Sequence, residues 1–258
     1  MIDPATMTVF ITGASSGFGA ATSRQFAERG ARVIASARRV DRVLGIRDLL
    51  PVLFKDNLLA VELDVRDKNA VDQTIESLPE GFDKIDVLVN NAGLALGMGP
   101  AHTADMDDWE GMIDTNIKGL MYCTRAILPG MVERDRGHVI NLGSVAGSYP
   151  YPGGNIYGAS KAFVHQFSLN LRADLIGHQV RVTSVEPGMA ETEFTEVRLK
   201  GDAAKAKTVY QGMQPATADD IADVIRYVAT TPAHVNINRI EIMPVQQAFQ
   251  AFAVHREA

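Results

Sequence analysis

The chain has 258 residues, 46% of them hydrophobic and 22% charged, with a formal net charge of −6. That length admits one large α/β sheet, and no apolar run reaches the roughly 18 residues a membrane span needs. Lys and Arg are scattered among acids rather than gathered into a stripe, which speaks against nucleic acid and membranes as partners and for a small molecule.

Residues 1–7 carry no periodicity and read as a disordered, frayed start. From there, short β-branched or apolar runs alternate with helix-period segments: 8–12, 31–37, 58–65, 85–90, 138–142, 180–185 and 237–242. Val87-Leu88-Val89 and Val139-Ile140 are apolar without alternation, as strands are when helices cover both faces of a parallel sheet. No repeat or Pro/Gly-rich linker divides the chain. The expected architecture is α/β: one Rossmann-type doubly wound domain over 8–258, with a seven-stranded, mostly parallel sheet and helices on both faces.

The first strand runs into Thr12, Gly13, Ala14, Ser15, Ser16, Gly17, Phe18 and Gly19, followed by a helix. Glycines there permit a sharp turn and let the backbone approach a pyrophosphate, which the helix N-terminus then meets. The spacing G-x-x-x-G-x-G differs from the general dinucleotide fingerprint G-x-G-x-x-G, so the loop alone does not decide the ligand. At the end of the second strand, where NAD enzymes place an acid on the ribose 2′-hydroxyl, stand Arg38 and Arg39. Their planar forks of donors suit a 2′-phosphate, which points to NADP as cofactor.

Further along, Cys123 is the single cysteine. It excludes an internal disulfide, and its apolar helical setting suggests a buried structural thiol. No leader of the basic-then-apolar kind precedes the first strand, so the expected compartment is the cytoplasm. The pairs Asp107-Asp108 and Asp219-Asp220 fall where helices begin and are read as complements to the helix dipole, not as catalytic carboxylates. The histidines show no metal-ligand spacing, and no metal is expected.

Ser144 follows the fifth strand, at the carboxyl edge where open α/β sheets bind ligands. Tyr157 and Lys161 lie four apart on one helical face. An ammonium near a phenol lowers its pKa, which makes Lys161 the expected tuner of Tyr157. Such a pair is common on ordinary helices, and only its company gives it weight.

That company is the loop 12–19, Asp64-Val65 closing the third strand, Asn90-Asn91-Ala92-Gly93 closing the fourth, Asn116, Ser144, Tyr157 and Lys161. Together these resemble the short-chain dehydrogenase/reductases from Thr8 to about Val245. The resemblance implies that Tyr157 exchanges the hydroxyl proton, Ser144 holds the substrate oxygen, Lys161 binds the nicotinamide ribose and Asn116 completes a proton relay. It also implies that Asp64 and Val65 flank the adenine, Asn91 and Gly93 face a ribose, and Pro187, Gly188 and Thr192 hold the nicotinamide end, in a substrate loop over about 187–215. Relatives in the family are usually homotetramers, and the apolar segment 249–254 could serve an interface.

Segments 90–97, 107–109, 232–236 and 243–245 resemble a narrower, NADP-dependent 3-hydroxy acid dehydrogenase branch. Its members oxidise serine, allo-threonine or 3-hydroxyisobutyrate and reduce malonic semialdehyde to 3-hydroxypropionate. Such substrates carry a carboxylate beside the reacting carbon, which demands a cation near Ser144 and Tyr157; Arg198 is the candidate. Two other readings stay open at this point: a reductase of another carbonyl, such as a 3-oxoacyl thioester, a sugar or a hydrophobic ketone, and a non-catalytic NADP-binding regulator.

Overall fold

A computed structural model describes residues 1–248 of the chain. In chain order the elements are β1 (Thr8–Thr12), α1 (Gly17–Ala27), β2 (Arg32–Ala37), α2 (Val40–Leu49), β3 (Leu58–Glu62), α3 (Lys68–Glu76), β4 (Val87–Asn90), α4 (Met106–Ile113), α5 (Leu120–Glu133), β5 (Gly137–Leu142), α6 (Asn155–Asp174), β6 (Val180–Pro187), α7 (Glu193–Arg198), α8 (Ala203–Val209), α9 (Ala218–Thr230) and β7 (Arg239–Ile242). The seven strands form one sheet in the order β3-β2-β1-β4-β5-β6-β7. Every adjacent pairing is parallel.

The uniformly apolar central strands are explained by the two layers that cover them. On one face Phe26, Ala27, Ile221, Ile225 and Val228 pack over Val9, Ile11 and Val33. On the other, Val71, Cys123, Ile127, Met131 and Leu171 cover Phe10, Ile34, Leu88 and Val139. Strand order reverses between β1 and β4, so their carboxyl ends diverge and open the crevice that such sheets use for ligands.

Local chemistry fixes several helix ends. Gly30, with φ of 84°, ends the turn after α1, and Thr217 with Asp220 forms a complete capping box at α9. Asp107 and Asp108 lie in the first turn of α4, behind the N-cap Asp105. Pro51 lies just beyond α2 and caps a 3-10 turn, Val52–Asn57, that leads into β3.

Strand ends shift by a residue or two at several places, and two larger departures have a physical reason. Residues 1–7 are not a frayed start: Asp3 caps a 3-10 turn (Pro4–Thr6), the Ile2 amide donates to Thr230 O at 2.7 Å, and Met7 is buried. The absence of periodicity reflected a short tertiary contact, too brief to leave a repeat. β3 stops at Glu62, not at Val65, because the chain turns once Asp64 engages the backbone and side chain of Arg66. Residues 249–254, considered above as an interface segment, lie outside the described residues.

Candidate active site

The floor of the site is the loop from β1 to α1. Gly13 has φ of 67°, and a Cβ there would lie 2.8 Å from Ala92 Cα; a Cβ on Gly19 would strike the Gly13 carbonyl oxygen and come within 2.5 Å of Asn91 Nδ2. Only glycine lets the two chain segments pass this closely. Asn91 fastens them, its Nδ2 donating to Thr12 O at 2.8 Å and to Gly13 O at 3.1 Å. Ser16, the N-cap of α1, makes no side-chain capping bond, which leaves the positive end of an eleven-residue helix directed at the groove.

A continuous groove runs from this loop to α6. Its walls include Gly13, Ser15, Gly17, Arg38, Arg39, Asp64, Val65, Asn91, Gly93, Ser144, Tyr157, Lys161, Pro187, Gly188 and Thr192. Most of the residues expected to hold a cofactor thus face one crevice; Ala14 is fully buried beneath it. Side-chain-free glycines, an open helix end and arginines at one extremity fit a phosphorylated dinucleotide. Asp64 is held below its usual range, mainly by the Arg66 guanidinium against the opposing cost of burial.

At the other end, α6 presents Tyr157 and Lys161 one turn apart, both buried. Burial pushes the Tyr157 phenol up to about 12, opposed by the neighbouring Ser144 hydroxyl and by the positive charge of Arg198. Lys161, expected from its spacing to tune Tyr157, is bonded to the main chain in this arrangement. Its Nζ donates to Leu142 O at 2.7 Å and lies 5.8 Å from the Tyr157 ring centroid, and burial drags its own pKa down to about 8. A four-residue spacing places two side chains on one face without deciding which group each will bond.

Ser144 stands just past β5, where its Oγ accepts from the Ala146 amide at 3.1 Å and donates to Pro187 O at 3.3 Å. Asn116 sits in a π-helical segment (Asp114–Gly119) between α4 and α5, the kind of bulge that recurs at functional sites. Its amide clamps both sides of Leu94, accepting from the N–H and donating to the carbonyl at 2.8 Å each. It also donates to Ser160 Oγ at 3.0 Å. Both Nδ2 hydrogens are therefore committed, so the side chain is a clamp and does not face the substrate as a free proton carrier. Gly93 is wedged between the two, since a Cβ there would lie 3.3 Å from Asn116 Oδ1 and 3.4 Å from Lys161 Nζ.

α7 lies across this groove. Thr192, its N-cap, packs over Gly17, where an added Cβ would meet Thr192 Cβ at 3.4 Å. Glu193 pairs with Arg39 at 3.1 Å and with Arg42 at 2.5 Å. Phe194 lies 5.5 Å from the Tyr157 ring, centroid to centroid. Arg198 bonds the carbonyls of Gly97 and Gly153, and its guanidinium lies 5.3 Å from the Tyr151 ring and 5.6 Å from the Tyr157 ring. Arg198 therefore reaches the reacting end. Phe194 closes the loop expected to hold the nicotinamide end, whereas Arg42, Arg66, Tyr151, Ser160 and Glu193 were not anticipated, and only Ser160, inside the run 157–161, carried a local signal.

The sheet order, glycine loop and buried Ser-Tyr-Lys set describe an oxidoreductase that works on a hydroxyl or carbonyl group, and the short chain dehydrogenase family model matches residues 7–203. The chain belongs to that family. The NADP-dependent 3-hydroxy acid dehydrogenase YdfG of Salmonella typhi is 56% identical over 251 residues, spanning 97% of this chain and all of the relative. Sulfoacetaldehyde reductase 2 of Chromohalobacter salexigens is 53% identical over 250 residues, 96% of this chain and 98% of that protein. Among solved structures, the closed form of a serine dehydrogenase complexed with NADP+ is 55% identical with a TM-score of 0.94, covering 97% of this chain and all of the other.

Proposed function

We propose that the protein is an NADP-dependent dehydrogenase of small 3-hydroxy acids, of the serine, allo-threonine, 3-hydroxyisobutyrate and 3-hydroxypropionate type. The observation that carries the substrate class is Arg198 beside the Tyr157 ring. A carboxylate one or two bonds from the reacting carbon would meet that guanidinium while its hydroxyl meets Ser144 and Tyr157. The names of the relatives at 55–56% identity support the same class and the same cofactor.

The arginine pair at the end of β2 is assigned to the 2′-phosphate of NADP, and the α1 N-terminus to the pyrophosphate. The bound nicotinamide supplies or accepts the hydride. Tyr157, whose pKa burial raises, donates a proton to the carbonyl oxygen in reduction and, as the phenolate, takes the hydroxyl proton in oxidation. Ser144 holds that oxygen and Lys161 holds the ribose beside it. Asn116 fixes the Leu94 backbone, and any relay to Lys161 runs through the main chain of its π-helical segment. The groove mouth under α7 excludes water once filled, which strengthens each of these polar contacts.

The same cation suits a sulfonate as well as a carboxylate, and the sulfoacetaldehyde reductase relative favours that second reading. NADP reduction measured with L-serine, D-threonine, L-allo-threonine, 3-hydroxyisobutyrate and isethionate separates the two. Turnover confined to isethionate contradicts the first reading. Among the described residues no helix is long and apolar enough to cross a membrane. A cytoplasmic homotetramer is the proposed assembly, following the habit of the family, and sedimentation equilibrium tests its subunit number.

A further inference from the structure

Arg39 is the side chain best placed at the phosphate end of the groove, yet it already has an anion. Its NH2 group donates to Glu193 Oε2 at 3.1 Å and to the hydroxyls of Ser15 and Ser16 at 3.4 and 3.3 Å. Glu193 also takes Arg42 NH1 at 2.5 Å on its other oxygen. A single carboxylate thus bridges two guanidiniums, one at the N-cap of α2 and one within α2, and it comes from a helix about 150 residues away in the chain. Glu193 lines the same groove as Arg38 and Arg39.

The Arg39 NH2 group has two hydrogens and already faces three acceptors, so a phosphate arriving there competes with the carboxylate. From this geometry we propose that Glu193 tunes the affinity for the 2′-phosphate: its carboxylate is the internal anion that competes with the phosphate for Arg39. Arg42 keeps hold of the freed carboxylate, so α7 stays tied to α2 when Arg39 turns to the ligand. The two pairs are partly exposed, and each is a modest interaction in water. The carboxylate therefore tempers the affinity without abolishing it. The consequence is selectivity in reverse: a neutral residue at 193 should improve discrimination for the phosphorylated nucleotide.

This inference rests on the assignment of Arg38 and Arg39 to the 2′-phosphate, so the test uses ligands that reach only that end of the groove. Dissociation constants of adenosine 2′,5′-bisphosphate and adenosine 5′-monophosphate are measured by calorimetry on the whole protein and on Glu193→Gln, which keeps the size of the side chain and sits at the surface. The expected result is a gain of about threefold to tenfold for the bisphosphate with the monophosphate unchanged. The gain should shrink at high salt. An unchanged or weakened bisphosphate affinity overturns the proposal, as does an equal gain for both nucleotides. If the unmodified protein binds the two nucleotides equally, the arginine assignment itself falls and takes this inference with it.

Discussion

The guanidinium of Arg198 stands 5.6 Å from the centroid of the Tyr157 ring, although 41 residues separate them in sequence and they belong to different elements. One is the proposed acid/base, the other the cation that favours its ionised form. In the proposed reading a carboxylate held by Arg198 would offset part of that charge, which would link substrate binding to the proton affinity of the phenol. The expected outcome for Arg198→Met is a rise in KM for a 3-hydroxy acid of about tenfold to a hundredfold, the scale of a charge-assisted contact. An uncharged short alcohol should be far less affected. Steady-state kinetics with both substrates checks it, and equal losses on the two contradict the carboxylate role.

Cofactor choice is tested at Arg38. This residue lines the groove and its charge is felt by Asp64. Replacing it with Asp puts an acid where an NAD enzyme keeps one, and the NADP-to-NAD ratio of kcat/KM should fall by about a hundredfold or more. An unaltered ratio would show Arg38 to be a solvated bystander.

Lys161 yields a prediction about stability. Burial holds its pKa near 8, below the ordinary 10.5. The unfolded chain therefore binds more protons than the folded one between those values, and the contribution of this group to stability rises with pH across that window. Below pH 8 the fold carries a buried ammonium at full cost. Lys161→Met should be inactive yet raise the Tm at pH 7, with the gain fading towards pH 10. Thermal denaturation at the two pH values decides, and a lower Tm at pH 7 would mean that the bond to Leu142 O outweighs burial.

Gly93 has little room for a methyl group. A Cβ there would lie 3.3 Å from Asn116 Oδ1 and 3.4 Å from Lys161 Nζ, and both are tied down, to Leu94 and to Leu142. Gly93→Ala is expected to cost about 1–3 kcal/mol of stability, as overpacking does, and to raise the KM for the cofactor. Denaturant unfolding together with cofactor titration would reveal a neutral substitution if the neighbours can shift after all.

Much of this was legible in the chain. Val87-Leu88-Val89 announces a strand covered on both faces, Gly30 and Thr217 mark helix ends, and the run from Thr12 to Gly19 carries its turn in its glycines. Ser144, Tyr157 and Lys161 also meet where the sequence suggests. What stayed hidden depends on contacts between distant segments. Nothing local in Glu193 reveals Arg39 and Arg42, nor in Phe194 the ring of Tyr157. Lys161 illustrates the limit well: its helical face was foreseeable, but the carbonyl of Leu142 lies on a strand 19 residues upstream and competes for its ammonium. Residues 1–7 were misread for the same reason, since they are ordered by contacts with distant segments, among them the bond from Ile2 to Thr230 and that from Arg136 to Thr6.

The central claim is that Tyr157 moves the proton while other groups bind the cofactor. Tyr157→Phe keeps the ring that packs on Phe194 and removes only the hydroxyl. The account predicts that kcat with NADP and the best hydroxy acid falls by about a thousandfold or more, while the dissociation constant of NADP, measured by calorimetry on the same variant, stays within about threefold. A variant that retains a tenth or more of its turnover would contradict the assignment.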